Sequence, residues 1–265
     1  MRYTTGLLGL LLSAAFWSGC GDNPIKASQT GRLRVGLTDA PAAFKAVNVT
    51  FAELSAHLDG SWVTVRGDQS TTVNLLEWNN GKAMLIGAAD VPAGRYTQLR
   101  LKVQSAEVVT MDGQTHQATI PSGDQTGLKL VSEFNVSEGS TYEMVLDFDV
   151  QKSIVATGSQ KFMLKPTIRV APVALTGSIS GAVTNAQHMP VAFAIAGSDT
   201  VTSTPVDAGS GSFRLAFLSA GNYTVAVADT TGRSYTKSNV AVTVGSDLNI
   251  GSISLNIGVG AGAGN

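Results

Sequence analysis

The amino-acid sequence predicts an all-β protein that contains two β-sandwich domains in tandem. Three observations favour strands over helices. Charged residues make up 14% of the chain, against about 25% in a typical soluble domain. The 29 Gly residues are accompanied by many Ser, Thr and Val, a composition typical of strands and tight turns. Apolar and polar residues alternate over most of the chain after residue 32, which indicates strands with one buried face.

Length and charge limit the possible classes of protein. The chain has 265 residues, which is enough for two domains of about 100–150 residues each. Its formal net charge is -1, so the sequence predicts no basic face of the kind that binds nucleic-acid phosphates. Nucleic acid is therefore not expected among its partners.

The first residues indicate export from the cytoplasm. Arg2 provides a short basic segment, and residues 6–16 form an apolar stretch. That stretch is too short for a membrane-spanning helix, which needs about 20 residues. Ser18 and Gly19 then precede Cys20, which is the only cysteine of the chain. A single cysteine excludes a disulfide within the chain.

This arrangement resembles the signal of a bacterial lipoprotein, in which the peptide is cut before the cysteine and the thiol carries diacylglycerol. The resemblance implies a signal peptide over residues 1–19, a lipidated Cys20 and a polar tether over residues 20–31. Trp17 departs from the pattern, because an aliphatic residue usually stands there. An ordinary secretory signal with an incidental cysteine is the alternative. The membrane, reached through the N-terminal lipid, is thus an expected partner.

Residues 32–173 are predicted to form the first β-sandwich. In VNVTFAELSAHL (47–58) the apolar positions change from odd to even numbers, which indicates a β-bulge. Asp112-Gly113 separates two strand-like runs and favours a hairpin with a type I′ turn. Residues 74–87 predict a short helix or an irregular crossover. Further strands are predicted in YTQLRLKVQ (96–104), YEMVLDFDV (142–150) and FMLKPTIRV (162–170).

Residues 177–257 are predicted to form a second, smaller sandwich, because strand-like runs recur about every ten residues between Gly, Ser and Asp turns. Residues 258–265 carry no large side chain and are expected to be a flexible tail. The motif Ala-Gly-x-Tyr-Thr occurs in both predicted domains, at 93–97 and 220–224. Each copy is predicted to open a strand after a glycine with positive φ.

Both predicted domains resemble known families. Residues 32–173 resemble a bacterial lipoprotein family catalogued as domain of unknown function 4382. The matching segments are LTDAP (37–41), VPAGRYTQLRL (91–101), IPSGDQTGLKL (120–130), LDFDVQKSIV (146–155) and LKPTIRV (164–170). Residues 177–257 resemble a carboxypeptidase regulatory-like domain, a transthyretin-like or carbohydrate-binding-like sandwich, through GSISGAVTN (177–185), GSFRLAFLSAGNYTVAV (211–227) and NIGSISL (249–255). Neither resemblance implies a catalytic site.

A search for catalytic motifs gives little. The sequence has no G-x-S-x-G elbow and no phosphate-binding P-loop. His57, His116 and His188 are far apart, and none has a second ligand at the spacing of a metal site. No cofactor is expected, and no nucleophile–base pair indicates an enzyme.

The best candidate metal site is the pair Asp147 and Asp149. Alternate residues of a strand project from the same side, about 6–7 Å apart, and two such carboxylates suit Ca²⁺. Cross-strand ion pairs with basic residues of neighbouring strands, such as Lys165 and Arg169, are the favoured alternative. Asp39, which precedes Ala-Pro, is a candidate ligand-binding residue and equally a turn cap.

Trp62 and Trp78 stand near polar segments and are candidates for an aromatic platform that binds a sugar ring. Buried core tryptophans are the more common alternative. The sequence as a whole predicts a non-enzymatic, lipid-anchored protein of the bacterial cell envelope, periplasmic or on the outer surface, that presents β-sandwich domains for binding or as a scaffold. The alternative is a carbohydrate-binding module or adhesin. An envelope protein or a glycan is the corresponding partner.

Overall fold

The structure, a computed structural model, describes residues 29–67, 69–121, 127–158 and 160–257. The predicted signal peptide, Cys20, most of the predicted tether and the predicted tail at 258–265 lie outside the described residues. Within the described part, no helix is long and apolar enough to cross a membrane.

The described residues of the first unit form twelve strands in two sheets. The strands are β1 (Thr30–Asp39), β2 (Ala46–Leu58), β3 (Ser61–Arg66), β4 (Thr71–Asn74), β5 (Met84–Pro92), β6 (Gly94–Val109), β7 (Thr115–Thr119), β8 (Leu128–Val136), β9 (Thr141–Phe148), β10 (Ile154–Gly158), β11 (Lys161–Leu164) and β12 (Ile168–Pro172). A short helix α1 (Val150–Ser153) follows β9, and a 3-10 turn spans Leu75–Glu77. The strand order in the four-stranded sheet is β12-β9-β1-β5. The order in the eight-stranded sheet is β10-β11-β7-β6-β2-β3, with β4 paired to β2 and β8 paired to β6.

The second unit follows a 3-10 turn at Val173–Leu175. Its strands are β13 (Thr176–Val183), β14 (Val191–Ala196), β15 (Asp199–Pro205), β16 (Ser212–Ser219), β17 (Gly221–Ala228), β18 (Arg233–Val242), β19 (Asp247–Ile253) and β20 (Asn256–Ile257). They form a three-stranded sheet in the order β16-β13-β19 and a five-stranded sheet in the order β15-β14-β17-β18-β20. The all-β class predicted from the sequence is confirmed.

Each unit has its own cluster of buried apolar residues. The cluster of the first unit runs from Leu33 to Leu164 and that of the second from Ile179 to Leu255, with no member in common. Alternation along the strands explains the clusters, because every second side chain of a strand faces the opposite sheet. Leu99, Leu101 and Val103 of β6, for example, are fully buried.

Of two local predictions in the first unit, the bulge and the hairpin are both present, but the predicted turn type is not. The predicted bulge in β2 is confirmed by breaks in its pairing with β6 between Thr50 and Leu54. The hairpin at Asp112-Gly113 is confirmed, but its predicted type I′ turn is wrong. Gly113 has φ 84°, whereas Asp112 has no positive φ, and the Gly113 N–H donates to the Thr110 carbonyl. This is a three-residue loop with glycine in the left-handed position, so the bend needs only one unusual φ.

Two predicted strand boundaries are wrong for a common reason. Residues 162–170 form two strands in different sheets, β11 and β12, because Pro166 lies between them and has no N–H to give to a ladder. The strand predicted over 142–150 ends at Phe148. Periodicity alone does not show where a chain leaves one sheet for another.

The repeated Ala-Gly-x-Tyr-Thr motif forms the same local structure twice. The hydroxyl of Tyr96 donates to the carbonyl of Pro92 at 2.7 Å, and that of Tyr223 donates to the carbonyl of Ser219 at 2.8 Å. In both, a tyrosine near the start of a strand fixes the backbone four residues earlier, as in the tyrosine corner of β-sandwiches. The expected positive φ occurs at Gly94 (φ 156°) but not at Gly221.

Candidate functional site

Three of the predicted site residues, Asp39, Asp147 and Asp149, lie where the first unit contacts the second. The parallel pairing of β1 with β9 places Asp39 opposite Phe148 and Thr38 opposite Asp147. Parallel strands end at the same edge of a sheet, so carboxylates more than a hundred residues apart in sequence become neighbours. The sequence did not predict this pairing, because parallel strand partners leave no local signal.

We call this contact region the junction. Its members in the first unit are Asp39, Asn80, Asp147, Asp149, Lys152 and Arg169, and its members in the second unit are Thr200, Thr204, Arg214 and Phe217. A cleft of about 250 Å³ opens between the two sets, lined by Asp147, Asp149, Lys152, Arg169 and residues 200–202. Hydrogen bonds from Asn80, Lys152 and Arg169 therefore cross the contact between the units.

Asp39 is the most deeply buried carboxyl of the junction, with 3% of its surface exposed. Its Oδ1 accepts the N–H of Val150 at 3.2 Å, and its Oδ2 has no hydrogen-bond partner among the described residues. Burial raises the pKa of Asp39 well above its ordinary value, and repulsion from Asp147 and Asp149 adds to the rise, while the Val150 bond opposes it. Asp39 is thus poised to hold a proton that an exposed aspartate would release.

Asp147 is held by an ion pair across the sheet. Arg169 lies opposite Asp147 in the β9–β12 ladder, and its guanidinium donates to Asp147 Oδ2 at 2.6 Å. A second N–H of the same guanidinium donates to the Phe217 carbonyl of the second unit at 2.6 Å. One arginine therefore neutralises a buried carboxylate and joins the two units. For Asp147, the structure contains the cross-strand ion pair that the sequence favoured over a metal ligand.

Asp149 lies outside the strand on which the sequence placed it. It is the N-cap of α1, where its Oδ1 accepts the N–H of Lys152 at 3.0 Å. Its Oδ2 pairs with the Lys152 ammonium at 2.9 Å. A cap bond of this kind satisfies an N–H that a helix leaves free at its first turn, so the two aspartates do not form the expected pair on one strand face.

The metal hypothesis for Asp147 and Asp149 remains a prediction. Throughout the described ranges, no group of three or more His, Cys, Asp or Glu side chains is arranged to hold a metal ion. Both carboxylates already have cationic partners, in Arg169 and Lys152.

The two candidate tryptophans are half-buried. Trp62, on β3, lies beneath Arg100, whose guanidinium carbon is 3.8 Å from the ring centre, and it contacts His57 at 5.0 Å between ring centres. Trp78 packs against the core of the first unit, and its carbonyl accepts the N–H of Asp39 at 2.7 Å. Arg100 covers one face of Trp62 through a cation–π contact.

Sequence reasoning missed the residues that join the units. Asn80 makes four hydrogen bonds to the second unit, although the sequence marked its segment only as a crossover. An Asn-Gly pair such as Asn80-Gly81 is a signal for a turn, and that signal was present. Nothing in the sequence marks Phe217, whose carbonyl accepts from Arg169 and whose φ of 55° is unusual for a bulky residue.

A family model described as "Domain of unknown function (DUF4382)" matches residues 30–166, which is more than half of the chain. The chain belongs to this family. The DUF4382 match starts with β1 and ends after β11, so it includes Asp39, Asp147 and Asp149 and excludes Arg169. No curated protein matches the chain.

Several solved structures align with most of the chain at very low similarity. The minor pilin GBS52 of Streptococcus agalactiae has 11% identity and a TM-score of 0.20, over 84% of this chain and 94% of that one. A putative adhesin from Bacteroides ovatus has 11% identity and a TM-score of 0.21, over 94% and 98%. The Bacillus anthracis TIE protein has 12% identity and a TM-score of 0.22, over 86% of this chain. The chain spans 34% of the TIE protein and 27% of a leucine-rich repeat protein from Bacteroides thetaiotaomicron. These scores are too low to support an argument about function.

Proposed function

We propose that this DUF4382 protein is a non-enzymatic, lipid-anchored protein of the bacterial cell envelope that presents its two β units as a scaffold for binding. One observation carries the proposal. Two of the three carboxylates that the sequence singled out as candidate site residues have cationic or capping partners, Asp147 in Arg169 and Asp149 in the first turn of α1. Cross-strand ion pairs and helix caps of this kind fix the positions of strands and helices, which supports a structural role for both groups.

The second unit extends the proposal. We take residues 177–257 to be the carboxypeptidase regulatory-like sandwich that their sequence resembles. Their eight strands in two sheets and the Tyr223 corner support this assignment. The contacts of Asn80 and Arg169 cover part of one side.

Anchoring through Cys20 is the part of the proposal that fractionation tests directly. Cys20→Ala removes the attachment point of the lipid, so we expect the full-length variant to leave the membrane fraction for the soluble one. Ser18→Ala is the matched control, because it keeps a small residue beside an intact cysteine. Retention in membranes washed with high salt, by a Cys20→Ala variant whose mass shows that residues 1–19 have been removed, would exclude the lipid anchor, since salt removes proteins held by charge alone.

The scaffold and adhesin alternatives predict different partners. A scaffold should co-purify with an envelope protein from detergent-solubilised membranes, and this should not change when free glycans are added. An adhesin should bind a glycan array, and Trp62→Ala should abolish that binding. Since Arg100 covers one face of Trp62, we expect the first result. Array binding that disappears with Trp62→Ala would establish the second.

A further inference from the structure

The turn formed by Asn79, Asn80 and Gly81 is held by hydrogen bonds within the first unit. The hydroxyl of Thr38 lies 2.9 Å from the carbonyl oxygens of both Trp78 and Lys82, and the Lys82 N–H donates to the Asn79 carbonyl. Asn80 and Gly81 both have positive φ, at 55° and 80°. The first unit thus holds the turn from both sides and projects the side chain of Asn80 outward.

The side-chain amide of Asn80 fits a receptor built from both sheets of the second unit. Its Oδ1 accepts the Thr204 hydroxyl at 2.9 Å and the Arg214 N–H at 3.1 Å. Its Nδ2 donates to the Pro205 carbonyl at 3.1 Å, and the Asn80 N–H donates to the Thr204 hydroxyl at 3.0 Å. Thr204 lies on β15 and Arg214 on β16, which are edge strands of different sheets. One amide therefore satisfies backbone groups on two open edges at once.

The fit is close as well as polar. A Cβ added to Gly81 would lie 3.0 Å from Arg214 Cδ and 3.4 Å from Ala216 Cβ, so a larger residue would push the turn away from β16. Arg169 and Lys152 add two more bonds to the second unit, to the carbonyls of Phe217 and Thr200. The left-handed backbone at Phe217 is strained for a bulky residue, and the bond from Arg169 helps to hold it there.

We propose that the Asn79–Gly81 turn is a latch that makes the two units move as one body, and that the amide of Asn80 is the group on which this coupling depends. The use of such a rigid body rests on the proposed scaffold function, whereas the coupling itself does not. A contact that depends on directional bonds is weakened more by the loss of one partner than an apolar contact made of many weak interactions. Relative motion of domains is the usual expectation unless their interface is large and apolar, and the latch opposes such motion here.

Deamidation of the Asn80-Gly81 pair provides a chemical probe of the latch. Asn-Gly occurs once in the chain, at Asn80-Gly81. In a free peptide the Gly81 nitrogen would attack Asn80 Cγ and expel ammonia, and water would then open the resulting succinimide to aspartate or isoaspartate. The reaction requires the Asn80 amide to rotate out of its hydrogen bonds. A change in its rate when only a second-unit partner of Asn80 is altered therefore reports how often the latch is open.

The experiment compares Asn80 deamidation in the full-length protein with that in a synthetic peptide of residues 74–84, by peptide mapping in mildly alkaline buffer. We expect the folded protein to react at least about tenfold more slowly. Thr204→Val, which removes the hydroxyl bonded to Asn80, should lose most of this protection. Thr202→Val is the matched control on the same strand, since the hydroxyl of Thr202 makes no hydrogen bond to the described residues.

Calorimetry of the same proteins supplies a second readout. Coupled units should unfold in one transition in the wild type and in Thr202→Val, and in two transitions in Thr204→Val. Deamidation of the wild type at the rate of the peptide, or full protection in Thr204→Val, would overturn the proposal. The wild-type comparison needs no variant, so a misfolded Thr204→Val protein leaves the test intact. None of these outcomes depends on membrane attachment or on a partner, so failure of the latch is distinguishable from failure of the scaffold function.

Discussion

The core of the first unit and the junction between the units both contain buried side chains, but the core is held by apolar packing and the junction by hydrogen bonds and ion pairs. In the core, apolar side chains from two sheets are fully buried and make no hydrogen bonds. Leu33, Phe51 and Leu146 are examples. In the junction, buried groups such as Asp39 and Asp147 depend on one or two directional bonds each. Apolar packing spreads its free energy over many weak contacts, whereas a polar contact concentrates it in a few atoms. The core therefore governs whether the unit folds, and the junction governs how the units are held.

The largest effect should come from the core. Leu146→Ala removes a fully buried side chain, and such a substitution lowers the free energy of unfolding by about 3–5 kcal/mol through lost burial and a cavity. Chemical denaturation measures this. Val131→Ala is the control, since Val131 is 82% exposed and should change stability by about 0.5 kcal/mol or less. Equal effects of the two substitutions would contradict the assignment of the core.

Arg169 should have the next largest effect. Arg169→Met keeps the aliphatic stem but leaves Asp147 buried without its cation, so we expect a loss of about 2 kcal/mol in the free energy of unfolding. Arg34→Met is the matched control, because Arg34 pairs with Glu143 at 3.6 Å in an exposed position and should cost about 0.5 kcal/mol or less. Denaturation of both variants tests the contrast, and a cost for Arg169→Met no larger than the control would show that the Arg169–Asp147 ion pair contributes nothing to stability.

The raised pKa of Asp39 predicts how the free energy of unfolding changes with pH. Because its pKa is raised in the folded protein, the folded state binds the proton more tightly than the unfolded chain. The stability from that proton is complete below the unfolded pKa of about 3.9 and is lost as the pH rises through the folded pKa. Asp39→Asn stays neutral at every pH and can still accept the Val150 N–H. We therefore expect it to be more stable than the wild type at neutral pH.

Thermal melts of Asp39→Asn and the wild type from acid to mildly alkaline pH measure this difference, which should disappear near pH 4 and below. Asp90→Asn, at an exposed carboxylate paired with Arg32, should show no comparable gain at neutral pH. A stability difference for Asp39→Asn that does not change with pH would contradict the prediction, since it would indicate packing and not ionisation.

The smallest expected effect concerns calcium. If ion pairing accounts for Asp147 and Asp149, melts in calcium and in chelator should coincide. Asp149→Asn keeps a side-chain oxygen for the cap and should cost about 1 kcal/mol or less through loss of its ion pair with Lys152. A ligand that binds only the folded state would raise the melting temperature. A calcium-dependent rise that is lost in both Asp147→Asn and Asp149→Asn would turn the junction from a structural contact into a metal site.

The sequence predicted the features that repeat along the chain and missed those that depend on a meeting of distant segments. Alternation identified the inward residues of β6, and a change in its parity located the bulge in β2. The repeated tyrosine motif predicted the start of two strands. Asp39 was singled out as a candidate, but its burial could not be foreseen, because it follows from a parallel pairing with β9 and from the second unit above it.

Asn80 and Arg169 illustrate the same limit. Each looks like an ordinary turn or strand residue until Thr204, Arg214 or Phe217 is placed beside it. A turn signal predicts the direction of the backbone but not the identity of the surface that the turn touches. Asp149 was placed on a strand because the alternation continues through it. In the structure β9 ends at Phe148, and α1 begins at Val150 with Asp149 as its N-cap.

The position of β1 has a mechanical consequence. β1 lies inside its sheet, with β9 on one side and β5 on the other, and it runs from Thr30 to Asp39 at the junction. Tension that enters through the residues before Thr30 and is resisted at the junction acts along this strand. The hydrogen bonds of both ladders would then be sheared together, because none of them can open before its neighbours. A strand loaded in this way resists extension far better than a hairpin that is peeled apart one bond at a time.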